Sequence, residues 1–412
     1  MFQTFDTVAD PTLGAFRLAR LREELARRDL DGWIVPRADE FQGEYVPPSA
    51  ERLHWLTGFS GSAGTAVVLA GEAAILVDGR YTLQVVHEVD TAAFTPVDGV
   101  ATPLHAWLGD RLKAGDRLGF DPWLHTRTQV RRLEGAATRA RAELVACEEN
   151  LVDRLWNDRP APPAGRLAVQ PLALAGEEVG AKLGRITARL AEAGADALLL
   201  TQPDSIAWVF NVRGSDVAHN PVPLAFALVP ALGRPTLFVA AEKIDAAVAA
   251  HLAPHVDVAE RDALLPALDA LGAAGRAVSI DPAWTPEILV RRLEAAGARL
   301  VEGEDPVILP KATKNAAEIA GARAAHRRDG VAMARFLAWF DREGHATDEI
   351  TCCERLEAFR AESGELVDLS FDTISGAGPN GAIVHYHATR ATNRAIDRDS
   401  LFLLDSGAQY RD

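Results

Sequence analysis

The sequence is poor in cysteine, with only Cys147, Cys352 and Cys353 among 412 residues. An odd number, with two of the three adjacent in the chain, argues against a disulfide framework and is typical of a reducing compartment. The sequence also has no CxxC pair and no Cys/His spacing of the kind that binds zinc. We therefore expect a cytoplasmic protein without structural disulfides.

Long apolar runs and an excess of basic charge are also missing. The densest apolar stretch, 221–232, is broken by three prolines, whereas a membrane span needs about 18 consecutive apolar residues. Residues 1–11 contain two aspartates and no apolar h-region, so we expect neither a signal peptide nor a membrane partner. The 43 basic residues are outnumbered by 58 acidic ones. The resulting charge of −15 argues against nucleic-acid binding, because phosphates would repel the chain.

Several common catalytic motifs are absent as well, including the GxSxG elbow and the HExxH zinc helix. The glycines from Gly376 to Gly381 match GxGxxG, but a dinucleotide fingerprint must open a helix and here we expect a strand to follow. Gly58, Gly61 and Gly64 also precede a predicted strand. We interpret both stretches as tight turns that need φ > 0 rather than as phosphate sites.

The same order of predicted secondary-structure elements occurs twice in the chain. In each copy a helix with an apolar stripe is followed by a short apolar strand. The later segments 53–62 and 206–215 then share tryptophan, glycine and serine at a constant offset of 153 residues. We predict two copies of one α/β domain, joined by the proline-rich linker 156–163. In the first copy the helix carries Leu18, Leu21 and Leu25, and the strand is 33–35. In the second copy the helix carries Leu183, Ile186 and Leu190, and the strand is 198–200.

The pattern changes after a second break at 303–310. Apolar residues at helical spacing predict a long helix from Thr313 to about Glu343. A second helix is predicted to begin with Thr347 as its N-cap. Two strands are predicted to follow, at 382–386 and at 401–404.

Three places could carry chemistry, and each has a plain structural alternative. His385 and His387 would project from one face of a strand and could bind zinc. We favour one site-facing histidine with a solvated or hydrogen-bonded neighbour, since no third ligand is near. Asp405 ends an apolar strand, where a buried carboxylate needs a partner or a metal, although a capping acid fits equally well. Arg80 has no counterpart at 240–243 in the second copy, so it is either functional or part of a solvated turn.

Motifs in all three units carry a resemblance to one family, and they lie at 57–65, 78–81, 149–153, 207–211, 213–217, 219–222, 367–371, 378–383, 392–394 and 405–410. They resemble those of three-domain, cytosolic-type aminopeptidase P (Xaa-Pro aminopeptidase), in the pita-bread metallopeptidase family that also contains prolidase, methionine aminopeptidase and creatinase. The resemblance implies an α/β fold with two creatinase-N-like domains, 1–160 and 161–306. An incomplete α+β pita-bread catalytic domain, 307–412, would follow them.

The resemblance implies a metallo-aminopeptidase that removes the N-terminal residue from peptides with proline in the second position. Proline-containing peptides are then the expected partners. Two divalent metals, usually manganese, would be held by two aspartates, one histidine and two glutamates, and oxygen ligands suit Mn²⁺. Asp405 matches the first aspartate ligand, His385 the catalytic histidine near the scissile carbonyl, and Arg80 the arginine that binds the peptide. His387 has no counterpart in the motif.

The resemblance also limits what we expect of the chain itself. Only one of the five implied ligands is present, and Asp412 does not have the spacing of a ligand. We therefore expect no peptidase activity and no stably bound metal in this chain. Activity, two Mn²⁺ and a homodimer are expectations for the full-length parent. A prolidase-type dipeptidase, which the duplicated domain argues against, and a non-catalytic binding protein of the same fold are the alternatives.

Overall fold

The computed structural model of the protein describes residues 2–7 and 9–412. Its first domain contains strands β1 (Gly32–Pro36), β2 (Thr65–Leu69), β3 (Ala73–Val77), β4 (Thr95–Asp98), β5 (Arg117–Phe120) and β6 (Glu143–Ala146). Its helices are α1 (Gly14–Arg27), α2 (Arg52–Thr57), α3 (Val85–Glu88), α4 (Leu104–Gly109), α5 (Arg127–Ala140) and α6 (Leu151–Leu155). The strands form one mixed sheet in the order β4-β3-β2-β1-β5-β6, with β1 antiparallel to β2 and parallel to β5.

The second domain repeats this topology. Its strands are β7 (Ala168–Val169), β8 (Ala197–Leu200), β9 (Val212–Arg213), β10 (Phe226–Pro230), β11 (Thr236–Phe238), β12 (Asp257–Ala259), β13 (Ala277–Ile280) and β14 (Arg299–Glu302). Its helices are α7 (Leu172–Ala175), α8 (Val179–Glu192), α9 (Pro203–Val209), α10 (Ala246–Leu252), α11 (Leu264–Ala273) and α12 (Glu287–Ala296). The sheet order is β12-β11-β10-β8-β13-β14, with β7 and β9 paired separately. The predicted duplication is therefore confirmed.

The apolar stripes of the two predicted helices face the sheets. Leu21 of α1 is fully buried in a cluster that includes Trp33 of β1, and Leu190 of α8 is buried with Leu198 of β8. Burial of one such leucine side chain contributes about 1.5–3 kcal/mol. The opposite face of the first sheet is also covered, because Ile34 packs with residues of α4 and α5. Each sheet is thus a central layer between apolar clusters.

The first two domains meet through a symmetric backbone contact. The segments that lead into α5 and α12 exchange four hydrogen bonds, and the partners repeat at an offset of 160 residues. Each segment thereby satisfies backbone groups of the other, which links the two domains. The bonds run from Arg127 N to Thr285 O (3.1 Å), Thr128 N to Pro282 O (2.9 Å), Glu287 N to His125 O (2.9 Å) and Ile288 N to Pro122 O (3.0 Å).

The third unit consists of helices and two small sheets. The helices are α13 (Ile308–Ala312), α14 (Ala316–Glu343) and α15 (Glu349–Ala361), and the strands are β15 (Leu366–Leu369), β16 (Ile374–Ala377), β17 (Phe402–Asp405) and β18 (Ala408–Tyr410). Strand β15 pairs with β18, and β16 pairs with β17. Over the ranges 2–7 and 9–412, no helix combines the length and apolarity that are needed to cross a membrane.

Two predicted helix starts in this unit are wrong by a few residues. The long helix begins after Asn315, not at Thr313, because the Asn315 side chain accepts a hydrogen bond from Glu318 N and forms a capping box. The next helix has Asp348, not Thr347, as its N-cap, and the Asp348 carboxylate accepts from Thr351 N at 2.8 Å. The predicted end at Glu343 is confirmed.

The predicted strand at 382–386 is also wrong. After β16 the chain enters a 3₁₀ helix, Gly378–Ala382, and then a turn. The GxGxxG glycines therefore lead into a helical turn. The tight-turn interpretation is confirmed for Gly378 and Gly58, with φ of +54° and +85°, but not for the remaining glycines, whose φ values lie outside the left-handed region. One of them, Gly61, is needed for close packing, because a Cβ there would lie 2.2 Å from a ring carbon of Phe59.

Candidate functional site

Arg80 is held by an acidic residue two positions earlier. The Asp78 carboxylate follows β3 and accepts from Arg80 N (3.0 Å), Arg80 Nε (2.9 Å) and Arg80 Nη2 (2.7 Å). These hydrogen bonds lower the pKa of Asp78 and raise the pKa of Arg80. Since a guanidinium carries five N–H donors, the remaining ones are free to bind another group. About a third of each side chain is exposed, so the pair is accessible from solvent.

Tyr81 connects this loop to the third unit of the molecule. Its ring is buried and packs edge-on against Phe59, with 5.6 Å between ring centroids. Its hydroxyl lies 2.6 Å from Ser62 Oγ and 3.0 Å from His385 Nδ1. The Tyr81 and His385 rings are perpendicular, with centroids 5.8 Å apart. Tyr81 thereby links Arg80, whose guanidinium lies 5.1 Å from the centroid of the Tyr81 ring, to His385 of the third unit.

His385 and His387 point to different partners. His385 lies in a turn with φ of +57°, a left-handed conformation that is uncommon for residues other than glycine. His387 instead faces Asp372, with 3.6 Å between His387 Nδ1 and Asp372 Oδ2. The expectation that both histidines share one strand face is therefore wrong. That one histidine faces a functional site stays a prediction.

A buried carboxylate explains why the chain turns at this point. Glu349, at the start of α15, is fully buried and accepts hydrogen bonds from four other residues. They are Ala377 N (2.7 Å), Asn380 Nδ2 (3.0 Å), the Tyr386 hydroxyl (3.0 Å) and Arg394 N (3.0 Å). Because these donors lie before and after His385, satisfying the buried charge overrides the strand propensity of the apolar residues between them.

Asp405 is placed differently from the expectation. It ends β17 as predicted and pairs in register with Ile374, but it is exposed. In the part of the chain that the structure describes, no hydrogen bond or ion pair involves its carboxylate. Its neighbour is anchored, because Ser406 Oγ accepts from the buried Arg360 (2.5 Å) and lies 2.8 Å from Thr373 Oγ1. The expected burial of Asp405 is therefore wrong, although the strand end that carries it is fixed.

A second histidine cluster joins the second and third units. His219, with φ of +67°, donates its backbone N–H to Asp368 (2.9 Å), and its Nε2 lies 3.4 Å from Asp372 Oδ1. Tyr45 of the first domain packs edge-on against its ring at 5.2 Å. Burial lowers the pKa of His219, but Asp372, the Leu369 carbonyl and Asp368 together outweigh burial, so the pKa is raised. All three units therefore meet at this residue.

The structure unites two of the three predicted site residues. Arg80 and His385 are connected through Tyr81, whereas no hydrogen bond or ion pair joins Asp405 to either of them within residues 2–7 and 9–412. Over the same residues, no group of three or more His, Cys, Asp or Glu side chains is placed to hold a metal ion. The residues present therefore do not by themselves fit a two-metal centre.

The roles of Tyr81 and Glu349 were not predicted from the sequence. Tyr81 lies in the same motif as Arg80 and is likewise missing from the second copy, which has Lys243 at that place, so the comparison of copies could have found it. Glu349 has no comparable signal in the sequence. Its donors lie 28 to 45 residues away, and no local pattern indicates such a contact.

Family models match most of the chain, from residue 17 to residue 412, in three parts. Residues 17–155 and 158–318 match two models described as the Creatinase/Prolidase N-terminal domain. Residues 320–412 match the model of metallopeptidase family M24. The matched ranges have the same order as the two duplicated sheets and the third unit.

Curated relatives and a solved structure are similar over almost the full chain. A probable Xaa-Pro aminopeptidase P from Paracoccidioides brasiliensis is 34% identical over 96% of this chain and 67% of its own length. One from Aspergillus fumigatus is 36% identical over 96% of this chain and 62% of its length. The chain thus spans about two thirds or less of these relatives. The X-prolyl aminopeptidase from Caenorhabditis elegans, described as a cytosolic enzyme with a di-nuclear active site, superposes with a TM-score of 0.91 at 28% identity, covering 97% of this chain and 68% of that one.

Proposed function

Because the chain belongs to the Xaa-Pro aminopeptidase P group of metallopeptidase family M24, we propose that its full-length product is a peptidase that removes the N-terminal residue from peptides with proline in the second position. A dedicated enzyme is needed for such bonds, since proline restricts the backbone and lacks an N–H. The observation that carries the proposal is the contact of Tyr81, which follows Arg80 in the first domain, with His385 of the third unit. We infer that the peptide binds in a cleft between Arg80 and His385.

The side chains of this cleft have separate tasks in the proposal. Arg80, oriented by Asp78, uses its free N–H donors to bind a carbonyl or carboxylate of the peptide beyond the scissile bond. His385 is exposed and donates a hydrogen bond from Nε2 to the oxygen that becomes negative when the scissile carbonyl is attacked. A donor that is already in place stabilises this charge without reorganisation during the reaction.

The metal ions belong to the proposal for the full-length product. A di-nuclear site is described for the Caenorhabditis elegans enzyme, and we propose two Mn²⁺ with Asp405 as one ligand, since carboxylate oxygen suits this ion. Asp405 is exposed at the end of β17 and so is accessible to an ion. The other side chains described here do not complete such a centre, and lack of peptidase activity in the 412-residue chain stays a prediction.

Location and assembly are likewise proposals. We place the protein in the cytoplasm, supported by three cysteines that are all free and by the cytosolic description of the Caenorhabditis elegans enzyme. A homodimer is compatible with the full-length product, and size-exclusion chromatography with light scattering tests it.

The test of the activity compares two peptides with the full-length product and Mn²⁺. An Xaa-Pro-Pro tripeptide should release its first residue, while an Xaa-Pro dipeptide should be cleaved much more slowly. The second creatinase-type domain favours this outcome, because it distinguishes this chain from the dipeptidase alternative. Faster cleavage of the dipeptide would favour a prolidase. Cleavage of neither peptide would favour a non-catalytic protein of the same fold.

A further inference from the structure

We propose that Tyr81 is a positioning residue that holds neutral His385 in the tautomer with its proton on Nε2. This inference rests on the proposed function, since it explains how His385 comes to present a hydrogen-bond donor to the peptide. It assigns a task to a first-domain side chain that reaches across to the third unit.

The Tyr81 hydroxyl lies between two polar groups. Ser62 Oγ is 2.6 Å away on one side and His385 Nδ1 is 3.0 Å away on the other. Both distances are within hydrogen-bond range. A phenol hydroxyl has one proton to donate and can also accept, so it donates to one neighbour and accepts from the other.

The direction of the two hydrogen bonds, between Ser62 and Tyr81 and between Tyr81 and His385, follows from the role proposed for a neutral His385 imidazole. One ring nitrogen donates and the other accepts. For His385 Nε2 to donate to a substrate oxygen, Nδ1 must accept, and the donor at Nδ1 is the Tyr81 hydroxyl. Ser62 then donates to the Tyr81 oxygen. The direction Ser62 to Tyr81 to His385 leaves the proton of His385 on Nε2, where the proposed reaction needs it.

The surroundings of Tyr81 make it suitable for this task. Its side chain is only 2% exposed and is fixed by the ring of Phe59. The Arg80 guanidinium lies over its ring, 5.1 Å from the centroid. His385, by contrast, is exposed in a turn with left-handed backbone. A rigid partner therefore orients a histidine whose own side chain is exposed.

The first experiment observes the tautomer directly in the 412-residue chain. The protein is labelled with ¹⁵N-histidine, and His385→Gln identifies the signals of His385. Long-range ¹H–¹⁵N correlation spectra are then recorded at alkaline pH. Wild type should show the Nε2–H form. Tyr81→Phe, which keeps the ring and its packing, should shift His385 toward a mixture of both tautomers. Tyr410→Phe is the matched control, since it removes a phenol hydroxyl that instead donates to Asp329.

Two spectroscopic outcomes would overturn the proposal. One is the Nδ1–H form in wild type, which would mean that His385 donates to Tyr81. The other is an unchanged tautomer in Tyr81→Phe. Both are read without peptidase activity, so they are independent of whether the proposed function is correct.

The second experiment measures kinetics on the full-length product with an Xaa-Pro-Pro peptide. Tyr81→Phe should lower kcat about tenfold while KM changes less than about twofold, because the hydroxyl acts on the transition state through His385 and not on peptide binding. A change in KM alone would overturn the role of Tyr81. An inactive wild type would instead overturn the proposed function.

Discussion

At the scale of single residues, the most informative contact is the one between Asp78 and Arg80. The sequence drew attention to Arg80 because the second copy of the domain lacks it. It did not show that Asp78 would hold the guanidinium through two of its nitrogens. That contact depends on the turn after β3, where Asp78 also accepts from the backbone of Arg80.

This contact leads to a prediction about peptide binding. Asp78→Asn should raise KM about threefold to tenfold with little change in kcat, because Arg80 loses a charged partner but keeps its own charge. Steady-state kinetics of the full-length product with an Xaa-Pro-Pro peptide measure the effect. Asp98→Asn is the control, since Asp98 caps an exposed turn after the neighbouring strand. An equal effect of both variants would contradict a specific role for Asp78.

Glu349 leads to a prediction about stability. Glu349→Gln should lower the free energy of unfolding by about 1–3 kcal/mol, since an amide group would turn N–H donors toward other donors in a buried place. Urea unfolding of the 412-residue chain measures this. Glu354→Gln, on an exposed position of the same helix, should change stability by less than about 0.5 kcal/mol. A Glu349 variant as stable as the Glu354 variant would show that the buried contacts contribute nothing net.

At the scale of elements, the sequence predicted helices and strands well where one periodic face packs on a sheet. The leucine stripes of α1 and α8 are examples. The segment 382–386 was predicted as a strand because its apolar residues have high β-propensity, yet it turns. Pro379 and the donors to Glu349 on both sides determine its path, and these contacts are not local in sequence.

The start of α15 allows a direct test at this scale. Asp348→Ala should lower the free energy of unfolding by about 1 kcal/mol, because Asp348 satisfies Thr351 N at the helix start. Thr347→Ala should have little effect, since the Thr347 hydroxyl is buried without a hydrogen-bond partner among the described residues. Thermal unfolding of both variants measures the difference. A larger loss of stability in Thr347→Ala than in Asp348→Ala would indicate that Thr347 is the N-cap.

At the scale of the whole molecule, the order of helices and strands was enough to predict two copies of one domain. The contact between the copies could not be predicted, because its backbone hydrogen bonds and its ion pairs, such as that of Arg131 with Glu302, join residues that are far apart in the sequence. His125 lies in that contact. It is buried, its Nδ1 is 2.8 Å from Asp121 O, and burial lowers its pKa to about 4.

The lowered pKa of His125 predicts that the free energy of unfolding decreases at acidic pH. The unfolded state takes up a proton near pH 6.5 and the folded state only near pH 4, so the unfolded state binds more protons between these values. Stability should therefore fall as the pH decreases through this window, by about 2 kcal/mol at about pH 5 from this group alone. Urea unfolding at about pH 7 and about pH 5 measures the loss.

Two variants separate this contribution from that of other groups. His125→Gln should show a smaller loss between the two pH values, because the glutamine does not titrate. His87→Gln, at an exposed position of the same domain, should lose as much stability as wild type. An identical pH dependence in all three proteins would show that His125 is protonated equally easily in the folded and unfolded states.

In the proposed function, Arg80 of the first domain and His385 of the third unit act on one peptide from the two sides of a cleft. The most direct measurement is the rate of release of the first residue from an Xaa-Pro-Pro peptide by the full-length product with Mn²⁺. His385→Ala should lower kcat at least about 100-fold, and Arg80→Ala should act mainly by raising KM, about tenfold. If both variants cleave the peptide with the kcat/KM of wild type, the cleft is not the site of the reaction.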